Sequence, residues 1–440
     1  MTETSDSAKV PAKKKAVARR ARGDGQIVDR GGNTYRLRYR VNGKRFSKTI
    51  QGTKADAVKE LRKLLKSVDD GEHVDPSKIT VGQWIEEWLD AGAPGRRKKK
   101  VGQRTLERYG QLLRTHVKPV LGDTVLQQLR APAIDKLYIG LDAKGEIEPR
   151  TQHHVHVVFG AMLATAHRKG MIAANPMLRV EQIPNPDPII VEGEYDPEDD
   201  ELGEGLDEAQ LKEVVAGFKT SASMYAPVAV DAATGLRRNE LLALRLTDLN
   251  EEKKTLRIER ALEQTKKFGI RFKPPKTKRG YRTIDLDDGT FEILMKEKER
   301  LQRLQERIPD GADVDLSLVR LPAKALIFPA IPAAGEPIDF ETPRNPRNFS
   351  KEFARRTEHL RETARKAGQP SFGKTRFHDL RGVHSTALLD AGIPIHRVAE
   401  RLGDDPAVLL RNYMKRKRSK QADKSLSDAL ATLATGFLGK

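Results

Sequence analysis

Residues 377–413 read FHDLRGVHSTALLDAGIPIHRVAERLGDDPAVLLRNY, and the rest of the chain takes its meaning from this stretch. His378, Arg381 and then His384 or Ser385 recur every three to four residues, so a helix here sets an imidazole and a guanidinium on one face. A second helix is expected from Pro394 to Leu402. Gly403-Asp404-Asp405-Pro406 is a stop followed by a start: glycine ends one helix, Asp404 or Asp405 caps the next, and Pro406 fills a first position where a missing N–H does no harm. That helix carries the chain to Tyr413, and four cations, Lys415 to Arg418, follow it.

Two earlier stretches carry similar chemistry. Val228 to Leu249, VAVDAATGLRRNELLALRLTDL, reads as two apolar helices broken at Thr234-Gly235, where glycine permits the reversal. Arg237 then falls at the start of the second helix with Glu240 at i+3, an arrangement suited to clamping an anion and equally suited to an ordinary surface salt bridge. Further on, Thr255 to Arg260, the cation-rich Phe272 to Gly280 and Tyr281 to Leu286 read as a hairpin with Lys276 in its turn. Lysines in such turns are commonly only solvated. Periodicity begins at Leu206 and holds to about Ala431, which sets a domain over 206–440.

The chain has 440 residues, with 81 Lys plus Arg against 62 Asp plus Glu, so the formal charge is +19. With 38% hydrophobic and only 5% aromatic residues, that excess points to a polyanionic partner, nucleic acid first and a membrane surface second. The length suggests two or three domains. Zero cysteines exclude a disulfide framework, a thiolate metal site and a cysteine nucleophile. No apolar run is long enough to span a bilayer, and the basic N-terminus lacks the hydrophobic core of a signal peptide. A soluble protein of a reducing, cytoplasmic compartment is the simplest expectation.

Residues 1–24 hold almost no large apolar side chains and read as a disordered basic tail. Residues 25–72 form a small domain. Within it, two alternating runs, Thr34 to Val41 and Lys44 to Ile50, flank Asn42-Gly43, a strong hairpin signal. If that turn sets the register, Tyr39 faces Phe46, Leu37 faces Lys48 and Tyr35 faces Ile50 on one mainly apolar face. The other face holds Arg36, Arg38, Arg40 and Arg45 with Ser47 and Thr49, and no acid, which favours contact with DNA over plain solvation. A helix over Lys54 to Val68 is placed to cover the apolar face.

From 78 to 183 the pattern is helical, with helices expected at Val81 to Ala91, Gln103 to Thr115, Ala133 to Gly140 and Pro149 to Lys169. A loop of five cations, Arg96, Arg97, Lys98, Lys99 and Lys100, interrupts them and suits phosphate contact. His153, His154 and His156 lie close in sequence but diverge around a helix, so no metal site is expected. Residues 184–205 turn to Pro, Gly and acid and read as a linker.

Taken together, TGLRRNEL around Arg237, PKTKRGYRTIDL around Lys276, HDLRGVHST around His378 and Arg381, and RLGDD…RNYMK around Tyr413 resemble the tyrosine recombinase family, specifically its phage-type integrases. Order and spacing make the joint match strong where each piece is weak. The resemblance implies three folded parts: a small three-stranded β-sheet plus helix that reads arm-type sites, an all-α core-site-binding domain, and a mixed α+β, mainly α, catalytic domain. It implies a site-specific DNA recombinase with Tyr413 as nucleophile, forming a 3′-phosphotyrosyl link. Arg237 and Arg381 would neutralise the phosphate, Lys276 would protonate the departing 5′-oxygen, and His378 would assist, with Glu240 orienting Arg237.

Such chemistry stores the phosphodiester energy covalently and calls for no ATP, metal or cofactor. The implied partners are double-stranded DNA carrying core-type and arm-type attachment sites, three further copies of the chain in a homotetramer, and room for a host DNA-bending protein and a directionality factor. The expected location is the host nucleoid, with no membrane partner. The competing readings are a DNA-binding regulator that has lost catalysis and a type IB topoisomerase-like relaxing enzyme. One departure stands out: after Leu-Gly the family usually places His, less often Trp, where this chain has Asp404. A carboxylate beside a phosphate is repulsive unless protonated or paired, so Asp404 is expected to cap the next helix.

Overall fold

The computed structural model describes residues 25–41, 43–70, 73–95, 100–184, 206–275, 277–332 and 336–417, without the side chains of 414–417. The expected basic tail, Arg96, Arg97, Lys98 and Lys99, the acidic linker from residue 185, Lys276, and the chain beyond 417 lie outside the described residues. The chain divides into two compact units, Met1–Val191 and Glu192–Lys440. No helix among the described residues is long and apolar enough to cross a membrane.

In the first unit, β1 (Gln26–Asp29), β2 (Thr34–Val41) and β3 (Lys44–Gln51) form an antiparallel sheet in that order. The register is the one the Asn-Gly turn implies: Tyr39 opposite Phe46, Leu37 opposite Lys48, Tyr35 opposite Ile50. Leu37 and Tyr39 are buried on the face covered by Ala57 and Leu61 of α1 (Lys54–Asp69), a helix that starts in a capping box between Thr53 and Asp56. On the other face Arg36 lies opposite Thr49, Arg38 opposite Ser47 and Arg40 opposite Arg45, with Arg36 donating to Ser47 Oγ at 3.0 Å. Arg38, Arg40 and Arg45 are exposed.

The helical part of this unit has its own core around Trp84, Trp88, Leu113, Phe159 and Met162. It comprises α2 (Val81–Asp90), α3 (Gln103–Leu112), α4 (Lys118–Leu121), α5 (Ala131–Lys144) and α6 (Pro149–Arg168). The helix expected over Gln103 to Thr115 passes at Leu113–Val117 into a π turn. The wider turn keeps Leu113 and Val117 fully buried and leads into Pro119, which has no N–H to offer the preceding turn. His153 Nδ1 lies 3.1 Å from the Pro184 carbonyl and His156 Nδ1 lies 3.2 Å from the Tyr138 hydroxyl, so the two rings face different partners. Lys100 is exposed.

The second unit contains α7 (Glu208–Gly217), α8 (Tyr225–Thr234), α9 (Arg238–Leu241), β4 (Leu249–Asn250), β5 (Thr255–Ile258), β6 (Ala261–Thr265), β7 (Gly269–Lys273), β8 (Arg282–Asp285), α10 (Asp288–Glu306), α11 (Pro346–Lys366), α12 (Phe377–Asp390), α13 (Ile395–Leu402) and α14 (Pro406–Lys417). Its core joins helix and sheet: Phe218 stacks on Phe353, Phe353 meets Phe377 edge-on, and Leu256, Ile284, Leu294 and Leu380 pack around them.

Two expectations change here. The second apolar stretch after Gly235 is one helical turn, α9, because Leu244 and Leu246 turn to bond the backbone of Ile327 and Ala325. The single hairpin expected across 255–286 is instead two structures. β5 pairs with β8 in the sheet β4-β5-β8, and β6 with β7 forms a separate hairpin between them.

Gly235 ends α8 with φ +64, and a Cβ there would lie 2.7 Å from both the His384 ring and a Leu402 methyl. Adding a methyl group brings left-handed strain and overpacking together. Gly235→Ala is therefore expected to lower stability by about 2–4 kcal/mol in urea unfolding.

His384 Nδ1 donates to the Ala232 carbonyl at 3.2 Å, leaving Nε2 toward Arg401 Nε at 3.5 Å. Burial, reinforced by the positive charge of Arg401, pushes the imidazole down to about 4 from 6.5. The unfolded chain thus binds this proton more readily than the folded one, so stability falls as pH drops from about 6.5 to about 4. In acid titrations followed by circular dichroism, His384→Asn should lose less stability than the parent across that window.

Candidate active site

Gly235 gives the chain a left-handed residue after α8, and two residues later Arg237 takes an extended backbone at the N-cap of α9. Its guanidinium is held from two sides. Nη1 donates to Glu240 Oε1 at 2.9 Å, and Nη2 reaches Asp404 Oδ1 as well as the Gly403 carbonyl at 3.4 Å. Glu240 Oε2 in turn accepts from the Arg237 backbone N–H at 3.2 Å and from Arg282 Nη2 at 2.8 Å. Glu240 is 3% exposed. Burial alone would raise its pKa, but the guanidiniums of Arg282 and Arg237 outweigh burial and hold it at about 2.

Arg381 comes from the second turn of α12. It is buried, donating Nη1 to the Gly235 carbonyl at 2.6 Å and Nη2 to the Leu402 carbonyl at 3.0 Å and to Asp404 Oδ2 at 2.5 Å. The outcome is a line of alternating charge, Arg282, Glu240, Arg237, Asp404, Arg381, drawn from four chain segments. Gly403 lets these segments close on one another. It has φ +70, and a Cβ there would lie 2.8 Å from the Arg279 carbonyl and 3.0 Å from Arg282 Nη1.

The expected capping role of Asp404 is corrected by this geometry. The residue that caps α14 is Asp405, whose Oδ1 accepts from the Ala407 N–H at 2.9 Å while its other oxygen pairs with Arg279. Asp404 instead spends one oxygen on each arginine. Two guanidiniums so close together repel, and the carboxylate between them relieves it, which is why a cap was the weaker use of that side chain.

Of the other sequence-selected residues, His378 stands one turn before Arg381 on α12, partly buried. Tyr413 lies on α14 and its hydroxyl donates to Asp390 Oδ1 at 2.9 Å. Asp390 is the last residue of α12, nine positions beyond Arg381 and about 13 Å along the axis. Lys276 lies outside the described residues, between the end of β7 and the 3-10 turn at Lys278–Gly280. Of the cations that flank it in sequence, Lys273 pairs with Glu263 at 3.2 Å and Arg279 pairs with Asp405.

Arg282 was passed over in the sequence although it sits inside YRTIDL. Its partner Glu240 is 42 residues away and its Nε bonds the Arg401 carbonyl at 2.7 Å, so no local spacing announces it. Asp231, one turn before Gly235, is fully buried, and neither carboxyl oxygen has a hydrogen-bond partner among the described residues. Burial raises its pKa well above the ordinary aspartate value, with the positive charge of Arg381 opposing the shift.

Residues 204–420 match the model of the phage integrase family. The chain is 26% identical over 391 residues to a tyrosine recombinase XerC-like protein of Caldanaerobacter subterraneus subsp. tengcongensis, spanning 86% of this chain and 90% of that one. It is 25% identical over 415 residues to an integrase of Saccharopolyspora erythraea, spanning 82% and 84%. Among solved structures it is similar to the Tn1549 transposon integrase in complex with a circular intermediate DNA, with TM-score 0.57 at 17% identity over 81% of this chain and all of that one. It is also similar to a lambda integrase tetramer bound to a Holliday junction, with TM-score 0.51 at 17% identity over 92% of this chain and 99% of that one. Those two likenesses carry the fold, while the family match covers the segment that holds the line of charge: the chain belongs to the tyrosine recombinase family.

Proposed function

We propose that this protein is a site-specific DNA integrase that cuts and rejoins DNA through a 3′-phosphotyrosyl intermediate, serving a phage or other mobile element. The observation that carries the reading is the convergence of Arg237 and Arg381 on one forked anion, with one oxygen of Asp404 to each guanidinium. A phosphodiester presents the same fork in its two non-bridging oxygens, and guanidinium is the side chain best matched to it.

In this reading the scissile phosphate takes the place between the two arginines. The Tyr413 phenol leaves Asp390 and gives up its proton to water, its oxygen forms the new P–O bond, and the bond to the 5′-oxygen breaks. The leaving oxygen receives a proton from Lys276, and His378, one turn from Arg381, assists proton movement on the same side. Glu240 fixes Arg237, and Arg282 fixes Glu240. A 5′-hydroxyl from another strand then reverses the attack, so the bond energy is never lost to water and no nucleotide cofactor enters. Exchange between two duplexes calls for four protomers. The Arg-bearing sheet face of the first unit would supply a second DNA address, linked to the core-site domain on one chain and thereby raising effective concentration at sites with both sequences. Lys100 and the basic loop before it would add phosphate contacts, and accessory bending and directionality proteins would act on the same DNA.

On a nicked suicide substrate, Tyr413→Phe should bind DNA as the parent does and form no covalent adduct, as read by denaturing gel. An adduct in that variant would refute the nucleophile. Removing residues 1–70 should leave core-site cleavage intact and impair recombination between sites bearing arm sequences. Recombination at the parent rate would refute the arm-reading role.

A further inference from the structure

The line of charge contains one group that the proposed reaction does not use. Asp404 occupies the place where the reading above puts the scissile phosphate, and it does so with the phosphate's own geometry. We infer that Asp404 is a resident anion, a positioning residue that holds Arg237 and Arg381 in their phosphate-binding pose and has to be displaced before a phosphate can enter. The inference rests on the reading that these two arginines form the phosphate seat.

Three features support displacement over permanent residence. Each guanidinium keeps partners that do not depend on Asp404: Arg381 has the Gly235 and Leu402 carbonyls, and Arg237 has Glu240 and the Gly403 carbonyl. The seat therefore persists when the carboxylate leaves. The side chains of Asp404 and Arg237 are 20% and 30% exposed whereas that of Arg381 is 5% exposed, so the seat opens to solvent on the side of Asp404. Finally, a carboxylate left in place would face the incoming phosphate with like charge at hydrogen-bond range, in a partly buried site where screening by salt is weak. The opposed charges decide the direction of exchange. With no phosphate present, Asp404 balances two cations; with one present, it is surplus.

The position of Asp404 in the chain adds a consequence. It stands between Gly403, which ends α13, and Asp405, which caps α14, the helix that carries Tyr413. Movement of Asp404 off the arginines begins two residues before Pro406, the first residue of the nucleophile's helix.

The test uses inorganic sulfate and the free full-length protein, with binding measured by calorimetry at constant ionic strength. Asp404→Asn should bind sulfate about tenfold or more tightly than the parent, the size expected from removing one opposed charge. Asp404→Glu, which keeps the charge, should stay near the parent. Asp405→Asn removes the same charge one residue away and should also stay near the parent, and adding Arg381→Ala to Asp404→Asn should abolish the gain. Equal sulfate affinity in Asp404→Asn and parent, or a gain that survives loss of Arg381, would overturn the inference. If Asp404→Asn does not fold by circular dichroism, Asp404→Ser takes its place under the same criteria. Failure of the parent to form an adduct on suicide DNA would reject the proposed function instead, and the sulfate result would stand apart from it.

Discussion

Five charged side chains of alternating sign, Arg282, Glu240, Arg237, Asp404 and Arg381, tie β8, α9, the α13–α14 connection and α12 to one another. Burying such groups is unfavourable unless every charge is answered, and each gain from pairing is largely offset by lost hydration. The line is therefore a poor source of net stability and a strict source of geometry. Losing Glu240, the buried carboxylate between Arg282 and Arg237, leaves uncompensated charge behind, typically at about 3–5 kcal/mol for a buried pair. The segments can satisfy all five only in one mutual arrangement, so the two guanidiniums are aimed before any DNA arrives.

What the sequence disclosed follows from the range of the interactions. The small sheet was legible down to its register, because an Asn-Gly turn between alternating runs is a local device and its consequences propagate residue by residue. The i,i+3 pairing of Arg237 with Glu240 was legible for the same reason. The β6–β7 hairpin was not, since Glu263 and Thr265 are buried polar residues that break the apolar alternation a strand reading relies on. Nor could the adjacent aspartates be told apart. Asp404 and Asp405 are chemically identical in sequence, and only the presence of Arg237 and Arg381 on one side and Arg279 with the Ala407 N–H on the other gives them different work. The resemblance located the arginines; the connection between them was a matter of distance across the fold.

Two groups of arginines among the described residues differ in electrostatic reach. Those in the line of charge are answered locally by Glu240 and Asp404, so they contribute little to the field that a distant polyanion meets. Arg38, Arg40 and Arg45 on the outer face of the small sheet stand exposed, and no acid faces them across the strands. The formal excess of +19 thus belongs mainly to surfaces that govern encounter and salt sensitivity. The residues proposed for chemistry are quiet at long range and act only on a phosphate already seated.

Arg381 is oriented chiefly by two main-chain carbonyls, those of Gly235 and Leu402. A carbonyl belongs to every amino acid, so no point substitution can delete it. In evolutionary terms, the orientation of this guanidinium has been placed beyond the reach of side-chain drift at the residues that provide it, provided the backbone path through Gly235 is kept. Sequence is then free to change around the second arginine, including at the neighbouring position where this chain carries aspartate, without the arginine losing its aim.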